Sequence, residues 1–416
     1  MNSEIKLNGI KKEKNRIIYN YETNGDMSNY LFNDKPFYVE YDENIEKVPD
    51  SILIVPFICN VLPIVWITDA TLIVDKIDKN FYESIDKFKK GYIDMYPQIK
   101  FKGKIKYNKL EENHSKQKDK ISAAFFSGGV DAVSTLVSHI NENIFTITIW
   151  GADIKVDNEK GWNVVKQFIC KNSLGVENQF VKSSFREFLD ESKLTKLVEK
   201  YANDDWWHGF QHGIGLIGHA APLAYLYNID NLYIASSYTI KDKGKVTCAS
   251  DPTIDNYVKF SDCHVIHDGY EYGRQEKIAN ICTYRKKIDK DIKLRVCWIS
   301  DSGENCNHCE KCIRTILGIV AEGDNPVSYG FNPDYKYIKN YVEKKCYFNP
   351  IIYPIWQSML IRFNENKDKL KDNDYIQWIY NIDLDKLNKK YKAFHKRVFR
   401  FIKKKIITMY KFIYNQ

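Results

Sequence analysis

The sequence predicts an α/β protein built on a parallel β-sheet with helices on both faces. Three observations carry that expectation. From residue 121 onward, short apolar runs alternate with stretches at helical spacing. A glycine pair, Gly128-Gly129, stands between the first of those runs and the helical stretch after it. Four cysteines, Cys297, Cys306, Cys309 and Cys312, crowd together at metal-ligand spacing and predict a zinc-binding element.

Residues 1–115 read as an α+β N-terminal domain of unknown role. Phe37-Tyr38-Val39 and Ser51 to Phe57 look like strands. Phe81 to Tyr96 looks like a helix, because Phe81, Ile85, Phe88 and Tyr92 recur on one face. The polar stretch His114 to Lys120 is a connector and a domain boundary. The second domain, 121–345, begins with a buried strand at Ile121 to Phe126 and a helix at Ala132 to Ile140. Ile144 to Trp150 is the next strand and Gly161 to Asn172 the next helix. His212 to Tyr227, small and apolar, reads as a tightly packed helix. Leu232 to Ala235 and Leu294 to Trp298 read as strands, and Glu310 to Ala321 as a helix. Residues 346–416 form a helical extension.

The chain has 416 residues, 44% hydrophobic and 28% charged, which argues against disorder and for a sizeable core. No collagen period, heptad run or solenoid repeat is present. The net charge is +8, but eleven bases lie after Asp385 with no acid among them; removing them leaves residues 1–385 at −3. The basic balance therefore describes a tail. Phe394, Val398, Phe401, Ile402, Ile406, Met409 and Ile413 form an apolar stripe there. Such a helix suits an anionic membrane, nucleic acid or a partner, and covering its own protein serves equally well. Met1 to Asn15 is charged, so no signal peptide is expected. The run Ile52 to Ile67, broken by Pro56, Asn60 and Pro63, is shorter than the roughly 20 residues that cross a bilayer and reads as core. A cytoplasmic protein is the expectation.

The segment Ser127-Gly128-Gly129-Val130-Asp131 has the chemistry of an anion cradle. Glycines let the backbone turn sharply and approach a phosphate, and the amides and dipole of the following helix favour negative charge. Ser127 adds a hydroxyl; Asp131 caps the helix or holds magnesium. An ordinary strand-to-helix turn would use the same two glycines. The loop is not a Walker motif, because no Gly-Lys-Ser/Thr ending follows.

The cysteine spacing is Cys297-x8-Cys306-x2-Cys309-x2-Cys312. Zinc takes four tetrahedral thiolates, and Cys-x2-Cys turns supply them; an iron–sulfur cluster uses the same count. Lys311 and Arg314 offset the charge. Cys59, Cys170, Cys248, Cys263, Cys282 and Cys346 are isolated and read as small buried hydrophobes.

The loop at 127–131 resembles the Ser-Gly-Gly-x-Asp-Ser/Thr loop of the PP-loop ATP pyrophosphatases. That resemblance implies a doubly wound, Rossmann-like domain in which a substrate oxygen attacks the α-phosphate of ATP and pyrophosphate leaves. One residue departs from the pattern: Ala132 stands where the family has Ser or Thr. Either a nearby hydroxyl, Ser134 or Thr135, substitutes, or one phosphate contact is missing. Together with the four cysteines and the trailing Ile313-Arg314-Thr315, the loop resembles 7-cyano-7-deazaguanine synthase over roughly residues 120–325. That family implies a structural zinc near the active site, and ATP-driven conversion of a 7-deazaguanine carboxylate to an amide and a nitrile. The segments before and after the shared region make the chain look like larger relatives, so the resemblance implies the activation chemistry better than the acceptor. By position, Ile149, Trp150 and Gly151 are expected near adenine.

Other polar groups are weaker candidates. Asp204-Asp205-Trp206-Trp207-His208 and Gln211-His212-Gly213 suit a flat heterocycle or a core seam. Ser236, Ser237 and Tyr238 end a predicted strand, where doubly wound sheets bind ligands. Asp251 and Asp255 follow in a loop. His264 and His267 fall on opposite faces of a strand, which disfavours a shared metal. His267, Asp268, Arg274 and Lys277 are candidates for substrate or phosphate contact.

The expected activity is an ATP-dependent ligase, using ATP, magnesium and zinc, that adenylates a carboxylate or amide oxygen and forms a C–N bond. Ser127 and Asp131 would act at the reacting phosphates. The acceptor is a small molecule or a protein terminus, and the donor ammonia or another amine; a homodimer is open. Two alternatives stand beside it. One is a tRNA-thiolating enzyme, which needs a sulfur-carrying cysteine such as Cys248 or Cys263. The other is a non-catalytic nucleotide-binding module, suggested by Ala132.

Overall fold

A computed structural model describes residues 3–32, 34–202, 205–297, 299–300 and 302–390. The chain forms two compact units, Met1–Tyr272 with Ile292–Glu304, and Gly273–Asp291 with Asn305–Gln416. The tail stripe from Phe394 to Ile413, Asp204 and Trp298 lie outside the described residues.

The first unit is organised by one sheet of eleven strands. These are β1 (Glu4–Lys12), β2 (Arg16–Asn24), β3 (Tyr38–Tyr41), β4 (Thr71–Asp78), β5 (Lys104–Glu111), β6 (Ile121–Phe125), β7 (Ile144–Trp150), β8 (Asn178–Ser183), β9 (Ile229–Ala235), β10 (Lys259–Phe260) and β11 (Cys263–Asp268). Their order is β10-β11-β9-β6-β7-β8-β3-β2-β1-β4-β5. The expected parallel sheet is there as the run β11-β9-β6-β7-β8. The whole sheet is mixed, because β3 pairs antiparallel with β8, with Val39 opposite Ser183 and Tyr41 opposite Val181. The polar connector at 114–120 joins β5 to β6 inside this unit. β5 is a charged edge strand, Lys104–Glu111, whose lysines discourage further pairing.

Two predicted strands are corrected. Ser51 to Phe57 belongs to the short helix α1 (Asp50–Leu53) and to α2 (Val55–Ile67). Its residues are buried all round, so the run shows neither period; Pro56 opens α2, where a missing N–H costs nothing. The run to Trp66 is core, as expected. Residues 294–297 form loop rather than strand. The backbone of that loop reaches the glycine turn, where the Arg295 N–H donates to the Gly128 carbonyl at 2.7 Å.

The helices otherwise follow the periodicity. α3 (Lys79–Met95) is capped by Asp78, which accepts from Phe81 N at 2.9 Å, and buries Phe81, Ile85, Phe88 and Tyr92. α4 (Val130–Ser138) and α5 (Glu159–Asn172) match their predicted spans within two residues. α6 (Glu191–Val198) follows. The predicted helix 212–227 is broken: a π-helical turn at Trp207–Gln211 leads into α7 (His212–Ile217), a 3-10 turn at Gly218–Ala220 and α8 (Ala221–Tyr227). Short α9 (Pro252–Asp255) completes the unit.

The second unit is helical: α10 (Arg274–Ile288), α11 (Glu310–Ala321), α12 (Tyr335–Lys344), α13 (Ile352–Glu365) and α14 (Lys367–Leu370). α11 is nearly all buried, and a Cβ on Gly318 would meet Ile278 of α10 at 2.6 Å, so glycine permits this close helix packing. The Trp356 indole N–H on α13 donates to Glu310 Oε1 at 2.8 Å.

Among the described residues, no helix is long and apolar enough to cross a membrane.

Candidate functional site

The strand order creates the site. From β6 the chain steps outward one way through β7 and β8, and the other way through β9 and β11. The order in which strands are added therefore reverses between β6 and β9, which are themselves parallel. In open α/β sheets a ligand crevice lies outside the carboxyl ends of the strands at that point. A cleft is present there. It is lined by Phe126 and Ser127 after β6, Ile147, Thr148 and Ile149 on β7, and Ile234, Ala235 and Ser237 on or after β9.

The glycine loop forms one side. Gly128 has φ +77, a conformation glycine adopts without strain, and a Cβ there would meet Phe168 at 2.5 Å. Gly129 is the N-cap of α4, so the N-cap position itself offers no side chain to that helix end. The Gly129 N–H donates to Ser127 Oγ at a long 3.4 Å. A Cβ on Gly129 would meet no protein atom nearer than 3.4 Å, so the space beside it belongs to the cleft. The residues fit an anion: open backbone, a hydroxyl, and a helix N-terminus. Asp131 also lines the cleft and brings a carboxylate to it. Ser127, Gly129 and Asp131 thus line the cleft together, while Val130 is buried in the core.

At the end of β7 the lining residues are Ile149, Ala152, Asp153 and Ile154. Trp150 is turned away: it stacks on Trp162 at 5.1 Å and its indole N–H donates to the Lys155 carbonyl at 2.8 Å. Gly151, at φ +114, lies so close to the Ser183 carbonyl that a Cβ is excluded. Neither is among the cleft-lining residues.

The opposite wall is Trp207, His212 and Leu216. The N-terminal segment holds it in place. Tyr92 and Tyr96, at the end of α3, donate to the carbonyls of Phe210 and Gly209, each at 2.8 Å. Gln211 donates to Asn60 of α2 at 2.7 Å. π-helical turns are rare and recur at functional sites. Trp206 is fully buried and stacks on Phe210, so of the two tryptophans one is core and one is wall. Burial and the neighbouring His208 push the His212 imidazole down to about 4, so it is neutral at pH 7.

The remaining candidates divide. Ser237 lines the cleft; Ser236 is buried and donates to the Tyr238 carbonyl at 2.7 Å, and Tyr238 Oη lies 3.0 Å from His208 Nε2. Asp251 caps α9 by accepting from Thr253 N at 2.9 Å. Buried His267 has Nδ1 at 2.8 Å from Asp255 Oδ2, while His264 on the other face of β11 is exposed. Asp268 accepts from Thr135 Oγ1 at 2.6 Å and lies 3.0 Å from His139 Nε2. Arg274 opens α10 in the second unit, and Lys277 is buried one turn later. Cys248 Sγ lies 3.9 Å from His212 Nδ1, whereas Cys263 begins β11 at the far end of the strand. Cys170 is exposed on α5, contrary to expectation; the other isolated cysteines are buried.

The four predicted thiols come together. Cys297, Cys306, Cys309 and Cys312 have their sulfurs within 4.8 Å of one another. Tetrahedral thiolates at a Zn–S distance of about 2.3 Å stand about 3.8 Å apart; Cys306 and Cys312 sulfurs are 3.9 Å apart. The backbone supplies supporting donors: Cys309 N to Cys306 Sγ at 3.3 Å and Cys312 N to Cys309 Sγ at 3.4 Å. The hydrogen bond to Cys309, with burial, pushes the Cys312 thiol up, so four thiolates here require a cation. The cluster fits a metal such as zinc.

Arg295 and Asp153 also line the cleft, and no motif or spacing in the sequence marks either. Arg295 lies in the stretch 294–297, which has the apolar pattern of a strand but forms loop. No protein-family model matches this chain, and no curated protein matches it in sequence.

Proposed function

We propose that the protein is an ATP-dependent ligase acting at the cleft beside residues 127–131. The observation that carries this reading is the glycine loop's position at the point where the parallel strands reverse order, with open space beside Gly129. The loop amides, Ser127 and the start of α4 bind and orient the phosphates, and Asp131 holds magnesium on them. A carboxylate or amide oxygen of the acceptor attacks the α-phosphate, and the bond to the β-phosphate breaks as pyrophosphate leaves. On an activated carboxylate, an amine attacks the carbon and gives up a proton, forming the C–N bond as AMP departs; on an activated amide, the amide nitrogen gives up its protons and AMP departs to leave a nitrile. Trp207 and His212 form the wall against which the acceptor lies. The metal of the four-cysteine cluster is structural. The resemblance to 7-cyano-7-deazaguanine synthase makes a 7-deazaguanine-type carboxylate the first acceptor to test.

The test is incubation with ATP, magnesium, ammonia and 7-carboxy-7-deazaguanine, with AMP and product mass read together. AMP with an amide or nitrile product supports both chemistry and acceptor. AMP at background with ATP still bound keeps the cleft and rejects this acceptor.

A second reading, a non-catalytic nucleotide-binding module, is favoured by Ala132 in the cleft wall. Pyrophosphate release during turnover excludes it. Thiolation requires Cys248, the candidate beside His212; full activity of Cys248→Ser removes that reading.

A further inference from the structure

Ala132 leaves the glycine loop without the hydroxyl that the resembling loops carry, and the two nearby hydroxyls do not replace it. Thr135 Oγ1 donates to Asp268 Oδ2 at 2.6 Å, and Ser134 is buried on α4. Neither residue lines the cleft, whereas Ala132 does.

Arg295 occupies the same cleft from another part of the chain. Its backbone N–H donates to the Gly128 carbonyl at 2.7 Å, and its Nε donates to the Ser127 carbonyl at 3.2 Å. Two consecutive carbonyls of the loop are therefore held by one residue. Its side chain is only 9% exposed, and its Nη2 lies 3.7 Å from Asp153 Oδ2. Asp153 is 67% exposed, so that pair is screened by water and easily exchanged. One edge of the guanidinium is fixed through Nε, while the Nη end meets a replaceable carboxylate. A phosphate oxygen is a stronger partner for that head, because guanidinium fits it in two-pronged geometry. The backbone and Nε contacts also mean that little side-chain freedom is lost on binding.

We propose that Arg295 supplies the phosphate contact that Ala132 cannot, with the triphosphate displacing Asp153 from its guanidinium. The inference rests on the nucleotide reading above and assigns that site its cationic residue. Arg295 also positions the loop through Ser127 and Gly128, so its test must separate the two roles.

The full-length chain is titrated with magnesium–ATP and with adenosine, as wild type, Arg295→Gln, Ala132→Ser and the double variant. Arg295→Gln retains a side-chain donor for the Ser127 carbonyl and removes the charge. ATP affinity should fall about tenfold to a hundredfold in Arg295→Gln, with adenosine affinity within about twofold of wild type. Adding Ala132→Ser should recover about tenfold of the ATP loss. Equal weakening of ATP and adenosine would make Arg295 a purely structural residue and overturn the proposal. So would ATP affinity unchanged by Arg295→Gln in a protein that binds ATP, and the nucleotide reading would then survive alone. A wild type that binds no ATP removes that reading and Arg295's role with it.

Discussion

Thr135 Oγ1 donates to Asp268 Oδ2 at 2.6 Å, and this one bond withdraws two residues from the cleft at once. Asp268 was a candidate for substrate contact and Thr135 a substitute for the loop hydroxyl. Each is instead the other's partner, tying α4 to β11. His139, the C-cap of α4, continues the tie: Nε2 lies 3.0 Å from Asp268 and Nδ1 2.6 Å from Glu142, with Tyr233 stacked at 3.8 Å.

That clasp predicts a pH dependence. The hydrogen bond to Asp268, with that to Glu142, raises the His139 pKa above its ordinary value against the opposing effect of burial. A histidine with a raised folded pKa gives its full stabilisation below about pH 6.5 and loses it as pH climbs through the folded value. The difference in Tm between wild type and His139→Gln should therefore be larger at pH 6 than at pH 9. An equal difference at both would show that the clasp does not depend on the proton.

His219 predicts the opposite trend. It is fully buried between Ser183 Oγ at 2.8 Å and the Gly215 carbonyl at 2.7 Å, and burial pushes it down to about 4. The unfolded chain then binds the proton more tightly than the folded one. Stability should fall as pH drops from about 6.5 toward 4, by about 3 kcal/mol from this group. His219→Gln should be less stable at pH 7, with a shallower loss of Tm across that range. A parallel loss in both proteins would assign acid sensitivity elsewhere.

Gly128 lets the loop turn without strain, and a side chain there would not. Gly128→Ala places a side chain at φ +77 and a Cβ 2.5 Å from Phe168. The backbone conformation alone costs about 1 kcal/mol, and the contact adds to it. Thermal unfolding should show a Tm lowered by several degrees; an unchanged Tm would mean that the turn relaxes freely.

Metal content tests the cysteine cluster. Purified protein should hold about one zinc per chain by elemental analysis, without the visible absorption of an iron–sulfur cluster. Cys309→Ser removes a ligand and the sulfur that accepts from Cys312 N, so zinc and Tm should fall together. Full zinc retention would exclude Cys309 as a ligand.

What was legible in the sequence was the part whose pattern is local. The helix stripe of Phe81, Ile85, Phe88 and Tyr92, the strand at Ile144–Trp150 and the cysteine spacing all follow from neighbours a few residues apart. The 51–57 run was misread because burial on every side erases periodicity. Most of the N-terminal strands were missed because charged residues such as those of β5 do not read as a buried strand. Trp207 and Arg295 enter the cleft through contacts far apart in the chain: Tyr92 with Phe210, Tyr96 with Gly209, and Arg295 with Gly128. Spacing carries no record of these. Nor does it distinguish Trp150, which turns onto Trp162, from Ile149, which lines the cleft.

The central claim is that the space beside Gly129 holds the phosphates of ATP. Gly129→Ala fills that space with a methyl that meets no protein atom nearer than 3.4 Å, so folding should be untouched. Calorimetric titration of magnesium–ATP into both proteins is the most direct measurement. Saturable binding by the wild type is expected, with affinity at least about tenfold weaker in Gly129→Ala at unchanged Tm. Equal affinity in the two proteins, or no binding by the wild type, would contradict it.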